Sequence, residues 1–421
     1  MFLWFLFFTA FFTFDASAES DLCELASERE DEEVRVFLIT LSPGEPLWSS
    51  FGHSAIWISD GRTGKDKVYN FGTFQSTQPN LLGRYLNGTL EYWLSVNSYQ
   101  KDFKRYHTNE ERHFVASRVL LPPDAAIELD KILINLRKPE NRSYIYHWAK
   151  NSCATKIRDL FNTLTDNQIY EQSQSLTSIT YRKESLRHLW TQPLVWLGWH
   201  AIANSLTDQP LTEWDAMYSP IQFRNLLKDK TYETSEGTTI PLIPYECDHP
   251  ATYVWAPEEP PNFGFQMGML GLGALVVSLL CGTLVSRSRV FKWTIAGLMI
   301  TIGTITGLFG TVHAALFFSA LEGLHPNLNQ LLASPIHWLL VVAGVQTLKS
   351  KWSKAFTNSL VISGLSIVCV LLAVSGLSEQ NNIEIVLLLT PIYIGFSGGL
   401  WLAKVRNGSI LPEQPDTRLE P

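Results

Sequence analysis

From Phe263 onward the chain passes through five apolar segments, at 263–286, 293–320, 333–348, 356–377 and 383–403, and such a run leaves few folds open. At about 1.5 Å of rise per residue, most of these segments reach across the roughly 30 Å of a bilayer's hydrocarbon as helices. Hydrocarbon offers no partner to backbone N–H and C=O groups, so each segment must satisfy its own, and the helix does that. The third is the shortest, and Pro335 near its start leaves its boundary open.

Charge sets the orientation. Arg287, Arg289 and Lys292 follow the first segment, Lys349, Lys351 and Lys354 the third, and Lys404 and Arg406 the fifth. The connections "EGLHPNLNQLLASP" and "SEQNN" carry no Lys or Arg. The positive-inside rule makes the basic connections cytoplasmic, which places the long polar N-terminal part outside. The beginning of the chain agrees: "MFLWFLFFTAFFTFDASA" is an apolar run ending in Ala16-Ser17-Ala18, the pattern of a cleaved secretory signal. The expected organisation is a signal peptide at 1–18, an extracytoplasmic domain at 19–262, a five-helix transmembrane domain at 263–406 and a cytoplasmic tail at 407–421. Trp255, Trp293, Trp338, Trp352 and Trp401 lie near segment ends, as interfacial belts do.

Several function classes drop out. A formal net charge of −7 and the absence of a basic tract in the soluble part argue against nucleic acid. No His-x-x-x-His or Glu-flanked histidine spacing suggests a metal, no Gly-rich phosphate loop is present, and no cofactor is expected. Of the five cysteines, Cys281 and Cys369 fall within apolar segments and read as packing residues. Cys23, Cys153 and Cys247 face an oxidising space. Cys23 and Cys247 bracket the exported domain and are the expected disulfide, which leaves Cys153 over.

Within that domain "RVFLITL" (35–41) reads as a strand and "SPGEP" as a loop. His53–Ile58, the turn "SDGRTGKDK" and "VYNFGTF" form a hairpin with His53 at its open end. "GRYLNGTLEYWLSVNSYQKDFKRY" mixes strand and helix signals without resolving. "PPDAAIELDKILINLRK" is an amphipathic helix, with Pro123 just inside its start. In "SYIYHWAKNSCATKIRDLFNTL" either Asn151 or Ser152 caps a helix that has Cys153 in its first turn.

That position matters chemically. A thiol attacks as thiolate, and N–H groups at a helix start, with the dipole behind them, stabilise the anion. A histidine on a facing strand takes the proton and is expected to lower the thiol pKa further. The same N–H groups can hold the oxyanion formed when the thiolate attacks a carbonyl. Taken singly, a histidine beside an apolar strand is more often a core residue, and a cysteine in an amphipathic helix is more often packing. An unpaired thiol in an exported domain is a liability, however, and this makes His53 and Cys153 a candidate base and nucleophile.

"SPGEPLWSSFGHSAIWI", "VYNFGTF" and "YIYHWAKNSCATKIRDL" resemble the signature of the Lnb-type lipoprotein N-acyltransferases, an exported domain followed by five membrane helices. The resemblance covers nearly the whole chain; in the tail it rests on the number of spans alone. The order His before Cys also resembles the circularly permuted branch of the papain-like NlpC/P60 fold, which includes lecithin:retinol acyltransferases. The fold class implied is an α+β papain-like, permuted NlpC/P60-type extracytoplasmic domain plus a five-helix transmembrane domain. The resemblance makes Cys153 the nucleophile and His53 the general base. It implies a phospholipid acyl donor and a diacylglyceryl lipoprotein acceptor, in a membrane-embedded protein of a bacterial envelope, with the inner membrane the expected location. Ser152 stands between Asn151 and Cys153, where the family pattern has Asn directly before Cys, so the role of Asn151 is open. A third group should orient the imidazole. Asn70 lies in the family block; it shares the face of His53 if paired residue numbers sum to 127 and not if they sum to 126, and Thr73 is its rival.

Residues 184–206, with Trp190, Trp196 and Trp199, read either as a membrane-surface segment or as a core helix interrupted at Pro193. His313, His337 and Glu384 are ionisable groups in or near spans. Alternative functions are a papain-like peptidoglycan peptidase or amidase, a membrane-anchored phospholipid hydrolase, and a non-catalytic envelope sensor.

Overall fold

A computed structural model describes residues 34–61, 63–285 and 287–408. The expected signal peptide, Cys23 and most of the tail lie outside the described residues. The chain forms two compact units. Of the described residues, one unit holds 34–79 together with Leu90–Thr177 and Leu211–Ala256; the other holds Asn80–Thr89, Ser178–Pro210 and 257–408. Segments 80–89 and 178–210, which sequence alone assigns to the exported domain, thus group with the apolar helices.

The first unit is built on a seven-stranded sheet. Its strands are β1 (Val34–Leu41), β2 (His53–Asp60), β3 (Lys65–Thr73), β4 (Glu91–Asn97), β5 (Phe114–Val119), β6 (Ser143–Ile145) and β7 (Glu246–His249), in the order β7-β5-β1-β2-β3-β4-β6. All pairs are antiparallel. β1, "VRVFLITL", is buried along its whole length, because both faces of the sheet are covered; its alternating side chains are mostly apolar, with Arg35 and Thr40 buried among them. On one face, Val36 and Leu38 of β1, Ile56 and Ile58 of β2, and Tyr69 and Phe71 of β3 form a core with three helices. These are α1 (Pro123–Leu136), α2 (Cys153–Leu164) and α3 (Pro220–Lys228). On the other face, Phe37, Ala55, Trp57 and Val68 meet Tyr99, Phe103 and Tyr106. Trp57 stacks between Phe37 and Tyr99, each at 4.2 Å between ring centroids.

The expected helices are present and their ends have local causes. α1 carries proline at its first turn. α2 is capped by Ser152, not Asn151: its hydroxyl accepts from the Thr155 N–H, and Thr155 Oγ1 accepts from the Ser152 N–H at 2.7 Å. Asn151 instead donates to the Ile145 carbonyl at 2.6 Å and shapes the loop before the helix.

In the second unit five helical segments are long and apolar enough to cross a membrane: Gly264–Leu284, Arg289–Phe318, Leu328–Leu348, Trp352–Val374 and Ile383–Arg406. The first and fifth approach so closely that a Cβ at Gly282 would run into the backbone of Gly399, the small-residue contact by which apolar helices pack in lipid. The uncharged connections turn toward segment 178–210. Asn327 donates to the carbonyls of Ile202 at 2.6 Å and Ala203 at 3.1 Å, and Asn329 to that of Ala201 at 2.9 Å. Gln209 reaches Glu379 at 2.6 Å. Glu384 accepts from His200 at 3.0 Å, a partner for one of the ionisable groups the sequence singles out. Buried Arg182 holds both oxygens of Asp208, at 2.6 and 2.9 Å, and the Ala203 carbonyl. The helix Pro193–Ile202 buries Trp196 against His200 and Phe263 and leaves Leu194 exposed, so it is a packed helix with one apolar side uncovered.

Candidate active site

His53 is the first residue of β2 and pairs with Leu41 of β1, which puts its side chain on the face of Ala55 and Trp57. The hairpin register pairs Ile56 with Tyr69 and Trp57 with Val68, so the paired numbers sum to neither 126 nor 127 but keep odd with even. Asn70 therefore falls on the face of His53. The two are bonded, His53 Nε2 to Asn70 Oδ1, at 3.0 Å.

That amide has one sensible orientation. Asn70 Nδ2 donates to Asp102 Oδ2 at 2.6 Å, and Asn97 Nδ2 donates to the other carboxylate oxygen at 2.8 Å. With its NH₂ committed to Asp102, Asn70 offers its oxygen to the imidazole, so the proton sits on His53 Nε2 and the lone pair on Nδ1. Asp102 is buried in the short helix Tyr99–Phe103, which starts at a Ser98 cap. Burial pushes its pKa up, while the two amide donors pull it down. Thr73, the alternative third group, turns away to bond Ser95 Oγ at 2.6 Å.

Cys153 reaches the same place from the helix-covered face. β3 bulges against β4 between Asn70 and Thr73, and within the bulge Gly72 takes φ +99°. A Cβ on Gly72 would lie 3.7 Å from Cys153 Cβ and 3.8 Å from His53 Cε1. The side chain that Gly72 lacks thus leaves a gap bordered by Cys153 on one side and His53 on the other.

The electrostatics differ from expectation. Burial pushes the Cys153 thiol up, and the backbone N–H groups of Ser54, Ala154 and Cys153 itself only partly offset this. Helix-start stabilisation is present, but desolvation of the anion outweighs it. His53 is driven down to about 4, first by burial and then by the Arg112 guanidinium, with the Asn70 bond acting the other way. At neutral pH the pair is therefore thiol and free imidazole, not an ion pair. Arg112 is buried, donates from Nε to the Ser42 carbonyl at 2.7 Å, and lies 5.5 Å from the Tyr106 ring centroid. Tyr106 in turn lies 6.0 Å from the His53 ring and sits in a π-helical turn, Lys104–Asn109.

Asp102, Asn97 and Arg112 have no part in the sequence reading. Asp102 sits in the segment whose strand and helix signals conflict, and an acidic residue just after a helix cap reads as ordinary first-turn chemistry. The described residues contain no group of three or more His, Cys, Asp or Glu that could hold a metal ion. Cys247 is disulfide-bonded, while Cys153, Cys281 and Cys369 are free.

A mixed α/β domain, joined in one chain to five membrane-length helices among the described residues, defines a class: membrane proteins with a folded domain in addition to their spans. Comparison narrows it. Residues 6–187 match the family model described as the Lnb N-terminal periplasmic domain, so the N-terminal part of the chain is similar to that of the Lnb-type family. No curated protein and no solved structure matches it.

Proposed function

We propose that the protein is a lipoprotein N-acyltransferase of the inner membrane, with its extracytoplasmic domain a permuted papain-like module and the domain limits expected from sequence. The observation that carries the reading is the convergence of Cys153, on a helix start, with His53, oriented by Asn70 and Asp102, in a chain with five membrane-length helices.

In the first half-reaction His53 Nδ1 takes the thiol proton as Cys153 Sγ attacks the ester carbon of a phospholipid. A C–S bond forms, the carbonyl pair moves to oxygen, and collapse breaks the C–O bond to glycerol. His53 returns its proton to that oxygen, releasing a lysophospholipid and leaving a thioester. In the second, the α-amine of a diacylglyceryl-cysteine lipoprotein attacks the thioester. The C–N bond forms, the C–S bond breaks, and the amine proton passes through His53 back to sulfur. Neutral His53 suits both halves, since each opens by removing a proton. Donor and acceptor are both confined to the bilayer, which accounts for a thiol enzyme with five spans.

The test is mass spectrometry of the full-length protein incubated with phospholipid and no amine. The mass should rise by one fatty acyl group, hydroxylamine at neutral pH should remove it, and Cys153→Ala should never acquire it. A diacylglyceryl-cysteine peptide should then discharge the adduct to an amide, and the same peptide with its amine blocked should not. Release of free fatty acid in place of the amide would favour a phospholipid hydrolase; no acyl mass at all would favour a peptidase.

A further inference from the structure

Beyond His53, Asn70 and Cys153, one further polar side chain at the gap has no structural job. Tyr144 lies in β6, paired with Tyr92 of β4. Its ring meets Phe71 edge-on at 6.3 Å and Tyr92 at 6.3 Å, and it packs on the same core cluster as Cys153. Tyr92 borders the gap too: its Cδ2 lies 4.0 Å from the position of a Gly72 Cβ. The Tyr144 hydroxyl is buried and makes no hydrogen bond among the described residues. The Gly72 backbone N–H acts on the phenol oxygen electrostatically, but an N–H only donates, so the phenol proton has no acceptor. Leaving a buried hydroxyl unsatisfied is unfavourable, and a hydroxyl retained in that state at a reactive thiol suits a ligand that arrives later.

We propose that the Tyr144 hydroxyl is a side-chain donor to the oxyanion, acting with the Cys153 backbone N–H. This rests on Cys153 being the acyl-accepting nucleophile. As the C–S bond forms, the former carbonyl oxygen takes the π pair; it accepts from Tyr144 O–H and Cys153 N–H, then releases the pair as the bond to the glycerol oxygen breaks. No proton leaves Tyr144 at any stage. Its setting favours that: burial first, then the nearby Cys153 and Tyr92, push the phenol's pKa upward, so the O–H stays intact as a donor at any working pH. The same donor serves attack of the amine on the thioester, which passes through a second oxyanion.

The experiment compares two reactions of Cys153 in the full-length protein in detergent micelles. One is single-turnover acylation by dipalmitoylphosphatidylethanolamine, which develops an oxyanion. The other is alkylation by iodoacetamide, a displacement at carbon that develops none at a carbonyl. Tyr144→Phe should slow acylation by about 10²-fold, the usual loss for one oxyanion donor, and leave alkylation unchanged. Its melting temperature should not fall, since only an unbonded hydroxyl is removed. Equal slowing of both reactions would make Tyr144 a packing residue around the thiol and overturn the proposal. Wild-type acylation rates in Tyr144→Phe would overturn it while leaving the Cys153 reading intact. If wild-type protein acquires no acyl group, both fall together.

Discussion

At the residue scale the informative feature is an imidazole held neutral. His53 titrates near 4 in the folded chain against 6.5 ordinarily, so kcat/KM should be flat through neutral pH and fall only as pH drops through about 4, where Nδ1 is protonated. The sign for stability is the same: the unfolded chain takes this proton at 6.5, so the stabilising contribution is complete above that pH and is lost as pH falls through 4. The thiol moves the other way, above 9.0, so alkylation of Cys153 should climb steadily with pH and show no plateau near neutrality, as an ion pair would give. Asp102→Ala frees the Asn70 amide to rotate and should lower kcat by up to about 10²-fold through misplacement of the imidazole, with KM nearly unchanged. His53 and Cys153 were legible in the sequence because each opens a regular element whose periodicity is clear. Asn70 was half-legible, since parity of register decides its face and sequence does not set register. Asp102 and Arg112 were not, because a buried carboxylate and a buried guanidinium are written in the same letters as solvated ones, and only the tertiary fold shows that water is gone.

The element that makes the site is a defect in a strand. Sequence periodicity delineates β2, β3, α1 and α2 well, since each alternates or repeats cleanly, but a bulge has no periodic signal. Gly72 reads as one more strand residue in "VYNFGTF" until its left-handed φ and its place between thiol and imidazole are seen. Gly72→Ala should therefore fail in two ways: a strained backbone costing on the order of 1 kcal/mol, measurable by denaturation, and a methyl in the reacting gap that abolishes acyl-adduct formation. Ser152→Ala offers the contrast. It removes a cap from α2 and should cost about 1 kcal/mol, yet it leaves the gap open, so adduct formation should be reduced, not lost.

At the scale of the whole molecule, Asn327, Asn329 and Glu379 of the uncharged connections all contact segment 178–210, so these connections share one side of the helices, and the positive-inside rule expects that side to be the outer one. Cysteine labels at 319–327 should react with an impermeant reagent from outside, and labels near Ser350 should not. Non-reducing peptide mapping should join Cys247 to Cys23 and leave Cys153 free; a bridge that includes Cys153 in active protein would be incompatible with the thioester chemistry. The division into two units could not be read from composition, because the polar segment 178–210 looks exported while its buried Trp196 and Arg182 belong with the apolar helices.

That division bears on how the protein can be taken apart. The chain passes from one unit to the other after residues 79, 89, 177, 210 and 256, so no single cut separates them. A soluble fragment ending at 262 would keep Ala201 but lose Leu332, Cys369, Ile385 and Val386, which bury it, and would keep Trp196 but lose Phe263, while Arg182 and Asp208 would retain their mutual bonds. Such a fragment should be sticky and poorly behaved for reasons unrelated to the chemistry of Cys153. Because the chain crosses between the units five times, a single tryptic nick should leave the periplasmic portion covalently attached, and its release should need cuts at several crossings.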